Sequence, residues 1–164
     1  MCGTQPNIIE KSVVSNDETY TRWVYIPRYG ESLSNLNPVF ISLRPGEEGI
    51  SGQILERTSH EVVLHWGMKF RRRRNDGKPN EEQFVGYAKA LVGNMRNVAE
   101  ANDEINVILT ESEVPAHAEI RFCLNGESVR GNTQNPIFLR YKDKLKDLLS
   151  KNICTVTKEV SAPK

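Results

Sequence analysis

The chain contains 164 residues, of which 38% are apolar and 26% are charged, a composition typical of one globular domain with its own core. The 22 basic and 21 acidic side chains leave a formal charge of +1, which excludes a histone-like polycation and an acidic solvating tail. The sequence has no apolar run of membrane-spanning length, and its first ten residues lack the charged and apolar pattern of a secretory signal, so we expect none. Three scattered cysteines, Cys2, Cys123 and Cys154, are too few for a disulfide framework. We therefore expect a cytoplasmic protein.

The first 66 residues predict a polar arm followed by short strands. Residues 1–18 are polar with a small apolar patch, and we expect a loosely ordered N-terminal arm. Runs rich in aromatic and β-branched residues predict four strands, over residues 20–26, 38–43, 50–57 and 61–66. The last two strands would form a hairpin with His60 in its turn.

The apolar period changes after Pro79. Asn80 is a helix-capping residue, and apolar side chains then recur every three to four positions, which predicts a helix over 81–101. Two more strands are expected over residues 104–110 and 116–124, followed by a mobile loop. A last helix begins at Asn135-Pro136, with one apolar side formed by Ile137, Tyr141, Leu145 and Leu148.

The predicted order of elements is β-β-β-β-α-β-β-α. It indicates an α+β fold, with a mainly antiparallel sheet of about six strands and two helices packed on one face. A single domain would cover residues 19–152 and leave a C-terminal tail over 153–164. Charge is distributed unevenly along the chain. The net charge is −3 over residues 1–67, +5 over 68–78, −5 over 79–125 and +4 over 126–164.

The most basic segment predicts a binding site for a polyanion. Its cations are Lys69, Arg71, Arg72, Arg73, Arg74 and Lys78. The turn signal Asp76-Gly77 places the arginines on one arm of a protruding loop, where guanidinium groups suit phosphate. Trp66 and Phe70 lie close enough in sequence to stack on bases. The first functional hypothesis is therefore a non-enzymatic protein that binds nucleic acid, with RNA or single strands favoured and Lys142 and Lys146 assisting.

Other interpretations of the basic segment stay open. A solvated turn would offset the acidic block that follows. A nuclear-import signal also needs only a basic cluster and would give a nuclear location. As an alternative function, the loop would contact an acidic protein or an anionic membrane surface in a self-associating assembly or adaptor protein.

The self-association hypothesis depends on one stripe of the helix predicted over 81–101. Opposite its apolar arc this stripe carries only small or uncharged residues: Gly86, Ala90, Gly93 and Asn97. Each glycine costs a helix about 1 kcal/mol relative to alanine. Close approach of a second subunit, giving a homo-oligomer, would explain that cost, as would packing within the domain.

An enzyme is the third hypothesis. His117, Glu119 and Arg121 share one face of the strand predicted over 116–124, where a base, an acid and a cation could perform acid–base chemistry. His117-Ala118-Glu119 matches the H-x-E element of zinc deaminases, but no P-C-x-x-C motif follows. The loops typical of nucleotide binding and serine hydrolysis are also absent from the sequence. We therefore expect no metal and no cofactor.

Overall fold

A seven-stranded antiparallel sheet forms the centre of the protein, in a computed structural model that describes residues 13–26, 29–30, 36, 40–43, 47–74, 83–131 and 135–156. The strands are β1 (Thr19–Ile26), β2 (Gly49–Ile54), β3 (Gln83–Leu91), β4 (Glu104–Leu109), β5 (His117–Leu124), β6 (Glu127–Ser128) and β7 (Ile153–Thr155). The α-helices are α1 (His60–Arg74), α2 (Val92–Arg96) and α3 (Pro136–Ser150), and Leu55–Arg57 forms a short 3-10 helix after β2. The sheet order is β4-β5-β2-β1-β3-β7, with β6 paired to β5. The predicted α+β class with a mainly antiparallel sheet is confirmed.

The two long helices lie on opposite faces of this sheet. On the first face Trp23 and Tyr87 are cross-strand partners. Helix α1 covers this face, as shown by the hydrogen bond from Trp23 Nε1 to the Val63 carbonyl at 3.1 Å. On the other face Phe122 meets Phe138 of α3 edge to face, with 4.9 Å between ring centroids. The registers of the β1–β2 and β2–β5 pairs place the Phe122 side chain on the opposite face of the sheet from the Trp23 side chain. The expectation of helices on one face only is therefore wrong.

The segment 61–66 is helical, which corrects the predicted hairpin. Ser59 Oγ accepts a hydrogen bond from the Val62 backbone N–H at 3.2 Å, so Ser59 is the N-cap of α1. Val63, Trp66 and Phe70 then recur at helical spacing and turn toward the sheet. The β-branched composition of the segment suggested a strand, but the capping serine and the period of three to four residues decide its structure.

The segment 81–101 is mainly a strand, which corrects the predicted helix. β3 pairs with β1 from Thr19↔Leu91 to Ile26↔Gln83 and with β7 on its other edge. Backbone pairing along both edges outweighs the amphipathic helical period of this segment, and only the short helix α2 forms after it. Residues 75–82, with the expected cap at Asn80, lie outside the described part of the chain.

Phe40–Leu43 belongs to no strand, although we predicted one over 38–43; residues 37–39 lie outside the described part. Phe40 and Ile41 are fully buried. The Phe40 carbonyl accepts a hydrogen bond from Arg22 Nε at 2.7 Å, so it bonds to a side chain instead of a neighbouring strand. The segment therefore packs on the core as irregular chain.

The second half of the chain follows the prediction more closely. β4 and β5 lie within a residue of the expected strands, and β6 occupies part of the expected loop. α3 begins at Pro136, where Asn135 Oδ1 accepts from the Ile137 N–H at 2.8 Å. Its buried side is Phe138, Tyr141, Leu145 and Leu149, so the apolar face is rotated from the expected one, and Ile137 is 40% exposed.

The two ends of the described chain are packed on the domain. Val13 bridges to Ile108 of β4, and Val14 is fully buried. Ile153–Thr155 forms the edge strand β7, although we assigned these residues to a tail. Cys123 is disulfide-bonded.

Candidate nucleic-acid interface

The four arginines form the last turn of α1, not one arm of a loop. Successive residues of a helix point 100° apart, so Arg71, Arg72 and Arg73 fan around the helix axis instead of alternating between two edges. The carboxyl end of a helix carries a partial negative charge that favours cations. The turn signal Asp76-Gly77 and the predicted phosphate ligand Lys78 lie outside the described part of the chain.

Glu113 and Trp66 contact the cations at this end of α1. Arg73 Nη1 lies 2.7 Å from Glu113 Oε1 on the loop between β4 and β5. This guanidinium holds the pKa of the Glu113 carboxyl below its usual value. Lys69 Nζ lies 4.4 Å from the centroid of the Trp66 ring. Lys69 and Arg71–Arg74 together define the basic surface, and the Glu113 carboxylate contacts it through Arg73.

The aromatic residues next to the basic surface belong to the core. Trp66 is only 8% exposed, and Lys69 covers one side of its ring. Phe70 packs edge to face on Trp23 at a centroid distance of 5.0 Å, and the Arg73 guanidinium lies 5.6 Å from its centroid. Both rings are occupied by contacts within the domain, so their geometry does not favour the base stacking we expected.

The lysines of α3 do not extend the basic surface. Because α3 and α1 pack on opposite faces of the sheet, Lys142 and Lys146 belong to a helix on the other side of the sheet from α1. Lys146 Nζ also pairs with Asp143 Oδ1 at 3.2 Å. Their expected assistance to the arginines at one continuous site is not supported by this arrangement.

The predicted stripe for self-association does not exist as a helical face. Gly86 and Ala90 are buried in β3, whereas Gly93 belongs to α2 and Asn97 caps that helix. At Gly86 the backbone φ is +144°, and a Cβ there would meet the Cys154 carbonyl oxygen. A Cβ at Gly93 would lie 2.9 Å from Asn16 Cβ. Packing within the domain therefore explains both glycines.

The three residues of the proposed catalytic face share β5 but divide into two groups. Arg121 Nη2 lies 3.1 Å from Glu119 Oε2, so these two charges pair with each other. His117 Nδ1 instead hydrogen-bonds Thr110 Oγ1, and burial lowers its pKa. His117 lines an open depression of about 480 Å³ with Thr110 and Pro115, and neither Glu119 nor Arg121 reaches that lining. The geometry does not favour a joint acid–base role.

One side-chain cluster was not found from the sequence. His60 begins α1, Tyr87 lies in β3 and Cys154 lies in β7, and these three side chains meet at the edge of the sheet. Glu113 was also missed as a neighbour of the arginines. Neither group has a local sequence signal, because 27 residues separate His60 from Tyr87 and 40 separate Arg73 from Glu113.

Comparisons of this chain with protein families, with curated proteins and with solved structures give no match. Within the described residues, no three His, Cys, Asp or Glu side chains are grouped closely enough to hold a metal ion. The helices of the described part are also too short or too polar to cross a membrane. Functional inference therefore starts from the arrangement of side chains.

Proposed function

We propose that this protein binds nucleic acid through the basic surface at the end of α1. The observation that carries the proposal is the density of cations there, five within six consecutive residues of one helix. Guanidinium forks match phosphate oxygens in a bidentate geometry, and neutralisation of several phosphates supplies most of the affinity in non-specific nucleic-acid binding.

Helix stability alone does not account for this density. Lys69 and Arg73 are four residues apart, and like charges at that spacing destabilise a helix by a few tenths of a kcal/mol, roughly 0.2–0.5. The helix dipole favours a cation near the carboxyl end by about 0.3–1 kcal/mol at an exposed position. One or two basic residues would provide that gain, and further arginines add repulsion that an anionic partner relieves.

The sheet holds α1 in place, so the direction of the basic surface is fixed relative to the domain. The Trp23 indole donates to the Val63 carbonyl at 3.1 Å, and Tyr25 Oη donates to the Gly67 carbonyl at 2.9 Å. Gly67 has no side chain where a Cβ would meet the Phe84 ring, so α1 approaches β3 closely. A helix that already packs on the sheet does not have to fold on binding, which lowers the entropic cost of binding.

Recognition would take place at the phosphate backbone. Trp66 and Phe70 are engaged in the core, so the preference for single strands that their stacking suggested has no support in the geometry. Contacts made only to phosphates position a protein on nucleic acid without reading its sequence. We therefore expect weak sequence specificity and binding to both single-stranded and duplex forms.

Gel-shift titration with a 30-nucleotide RNA and a 30-base-pair DNA tests this proposal. Replacing Arg71–Arg74 by alanine removes four charges, and alanine favours the helix. A matched variant replaces four cations on or next to α3: Arg140, Lys142, Lys144 and Lys151. We expect the α1 variant to lose about tenfold or more in affinity and the α3 variant to lose much less.

Two results would contradict the proposal. One is equal affinity of the wild type and the α1 variant for both nucleic acids. The other is binding of wild-type protein only to vesicles that contain anionic lipid, with the same loss in the α1 variant, which would indicate a membrane surface as the partner. The ratio of absorbance at 260 and 280 nm after purification gives a first check.

A further inference from the structure

We propose that Cys154 is a reactive thiol, activated by His60 and Tyr87, which forms mixed disulfides with low-molecular-weight disulfides. This inference is independent of nucleic-acid binding, because none of the three residues belongs to the basic surface. It depends on a cluster of three side chains from three elements, α1, β3 and β7.

The sheet register brings the thiol to the phenol. Tyr87 and Cys154 are directly opposite each other in the β3–β7 pair, so their side chains lie on the same face. The Tyr87 hydroxyl and the Cys154 sulfur are close enough to interact electrostatically. Burial, and then this contact with the sulfur, raise the pKa of Tyr87. The phenol therefore stays protonated and is available as a donor.

The first residue of α1 adds a base to this pair. His60 Nδ1 lies 2.8 Å from Tyr87 Oη and 3.8 Å from Cys154 Sγ. His60 is exposed and Cys154 is half-buried on the edge strand β7. A small reagent in solvent can therefore reach a sulfur that already contacts a base and a hydrogen-bond donor.

The contacts define a proton path from sulfur to imidazole. The Cys154 thiol passes its proton to Tyr87 Oη while the phenol passes its own proton to His60 Nδ1, which leaves a thiolate, a neutral phenol and an imidazolium. The phenol then donates to the thiolate, and His60 donates to the phenol. Glu61, which follows His60 on α1, exerts an electrostatic effect on Tyr87 and is the acidic neighbour of the cluster.

The reaction is thiol–disulfide exchange. The Cys154 thiolate attacks one sulfur of a small disulfide, a new S–S bond forms, and the original S–S bond breaks. The leaving thiolate takes the proton from the His60 imidazolium, so atoms, electrons and charge balance. The thiolate is the nucleophile in such exchange, and a neighbouring imidazolium favours it over the thiol.

The test measures the rate at which Cys154 reacts with 5,5′-dithiobis(2-nitrobenzoate) at pH 6, with the modified peptide identified by mass spectrometry. N-acetylcysteine provides the reference rate of an unactivated thiol. We expect Cys154 to react about tenfold or more faster than the reference, and His60→Ala and Tyr87→Phe to remove most of that difference. His65→Ala, at an exposed position of the same helix, should keep the wild-type rate.

A second measurement does not depend on access of the reagent. Thiolate absorbance near 240 nm at pH 7 should be present in the wild type, absent in Cys154→Ser and reduced in His60→Ala. A wild-type rate no greater than that of N-acetylcysteine would overturn the proposal. An ordinary thiol in an unfolded chain reaches that rate, so it would show no activation of Cys154 by the fold. An unchanged rate in both His60→Ala and Tyr87→Phe would overturn it as well.

Discussion

Arg73 Nη1 lies 2.7 Å from Glu113 Oε1, so the loop that precedes β5 places a carboxylate against the last turn of α1. Both side chains are about half exposed, and such exposed pairs contribute little to stability. For an incoming phosphate the same carboxylate is a competitor, since it occupies one guanidinium and repels negative charge. The first prediction follows from this contact.

Glu113→Gln should strengthen nucleic-acid binding by about two- to fivefold, the equivalent of one exposed ion pair. It frees Arg73 and adds one unit of positive charge beside the basic surface. Fluorescence anisotropy with a labelled oligonucleotide at fixed salt measures the change. Glu111→Gln, an exposed carboxylate on the same loop, is the matched control and should have a smaller effect. Weaker binding by Glu113→Gln would mean that Arg73 acts only as a structural ion pair.

Replacing the buried cation Arg22 should destabilise the protein. Arg22 is 9% exposed, and it donates at 2.7 Å to the carbonyls of both Phe40 and Ser51. We expect Arg22→Met to lower the free energy of unfolding by about 3 kcal/mol, because two carbonyls lose a charged donor. Urea denaturation measures this loss.

Arg57→Met is the matched control for that experiment. Arg57 pairs with Glu18 at 2.7 Å, but its side chain is 35% exposed, so we expect a loss of about 1 kcal/mol or less. Equal losses in the two variants would contradict a special role for the buried guanidinium of Arg22.

Gly86→Ala should cost about 3 kcal/mol, whereas Gly126→Ala should cost about 1 kcal/mol. Both glycines have a positive φ, at +144° and +83°, which disfavours a side chain. At Gly86 the added Cβ would also meet the Cys154 carbonyl and separate β7 from β3. At Gly126 nothing lies within 4 Å of the Cβ. Thermal and urea unfolding check the difference, and a larger cost at Gly126 would contradict the described β3–β7 contact.

His117 should make the protein less stable as the solution becomes acidic. Burial lowers the pKa of His117 in the folded state, whereas the unfolded chain keeps a value of about 6.5. Above pH 6.5 both states are neutral and the contribution to stability is complete. Below it the unfolded state binds the proton first, and stability is lost until the pH passes the folded pKa.

The test compares the free energy of unfolding at pH 8 and at pH 5. His117→Gln should show a smaller decrease between these values than the wild type, and His65→Gln, exposed on α1, should match the wild type. An unchanged decrease in His117→Gln would show that other groups cause the acid sensitivity.

The fold could be predicted from sequence where local signals and tertiary pairing agree. Asn135 and Pro136 begin α3 as their capping chemistry indicates, and β5 alternates as its apolar pattern requires. β3 could not be predicted, because its apolar period fits a helix and only pairing with β1 and β7 makes it a strand. Ser59 is a residue type that commonly caps helices, and it caps α1. The β-branched residues that follow it nevertheless favoured the prediction of a strand.

The sequence likewise predicts some features of the candidate site and not others. The basic run is evident from composition, but its helical placement depends on Trp23 and Tyr25 of β1, more than 30 residues away. The burial of Trp66 depends on the core around it, so its sequence proximity to the arginines was misleading. Partners that only the fold brings together, such as Glu113, leave no pattern in the sequence near Arg73.

The salt dependence of nucleic-acid affinity tests the central proposal most directly. Binding constants for a labelled duplex are measured between 50 and 200 mM salt for the wild type and for the Arg71–Arg74→Ala variant. With about five phosphate contacts from the basic surface, we predict a slope of log K against log salt of about −4.5 for the wild type and, since only Lys69 remains, about −1 for the variant. A flat wild-type response, or equal slopes for the two proteins, would contradict the proposal.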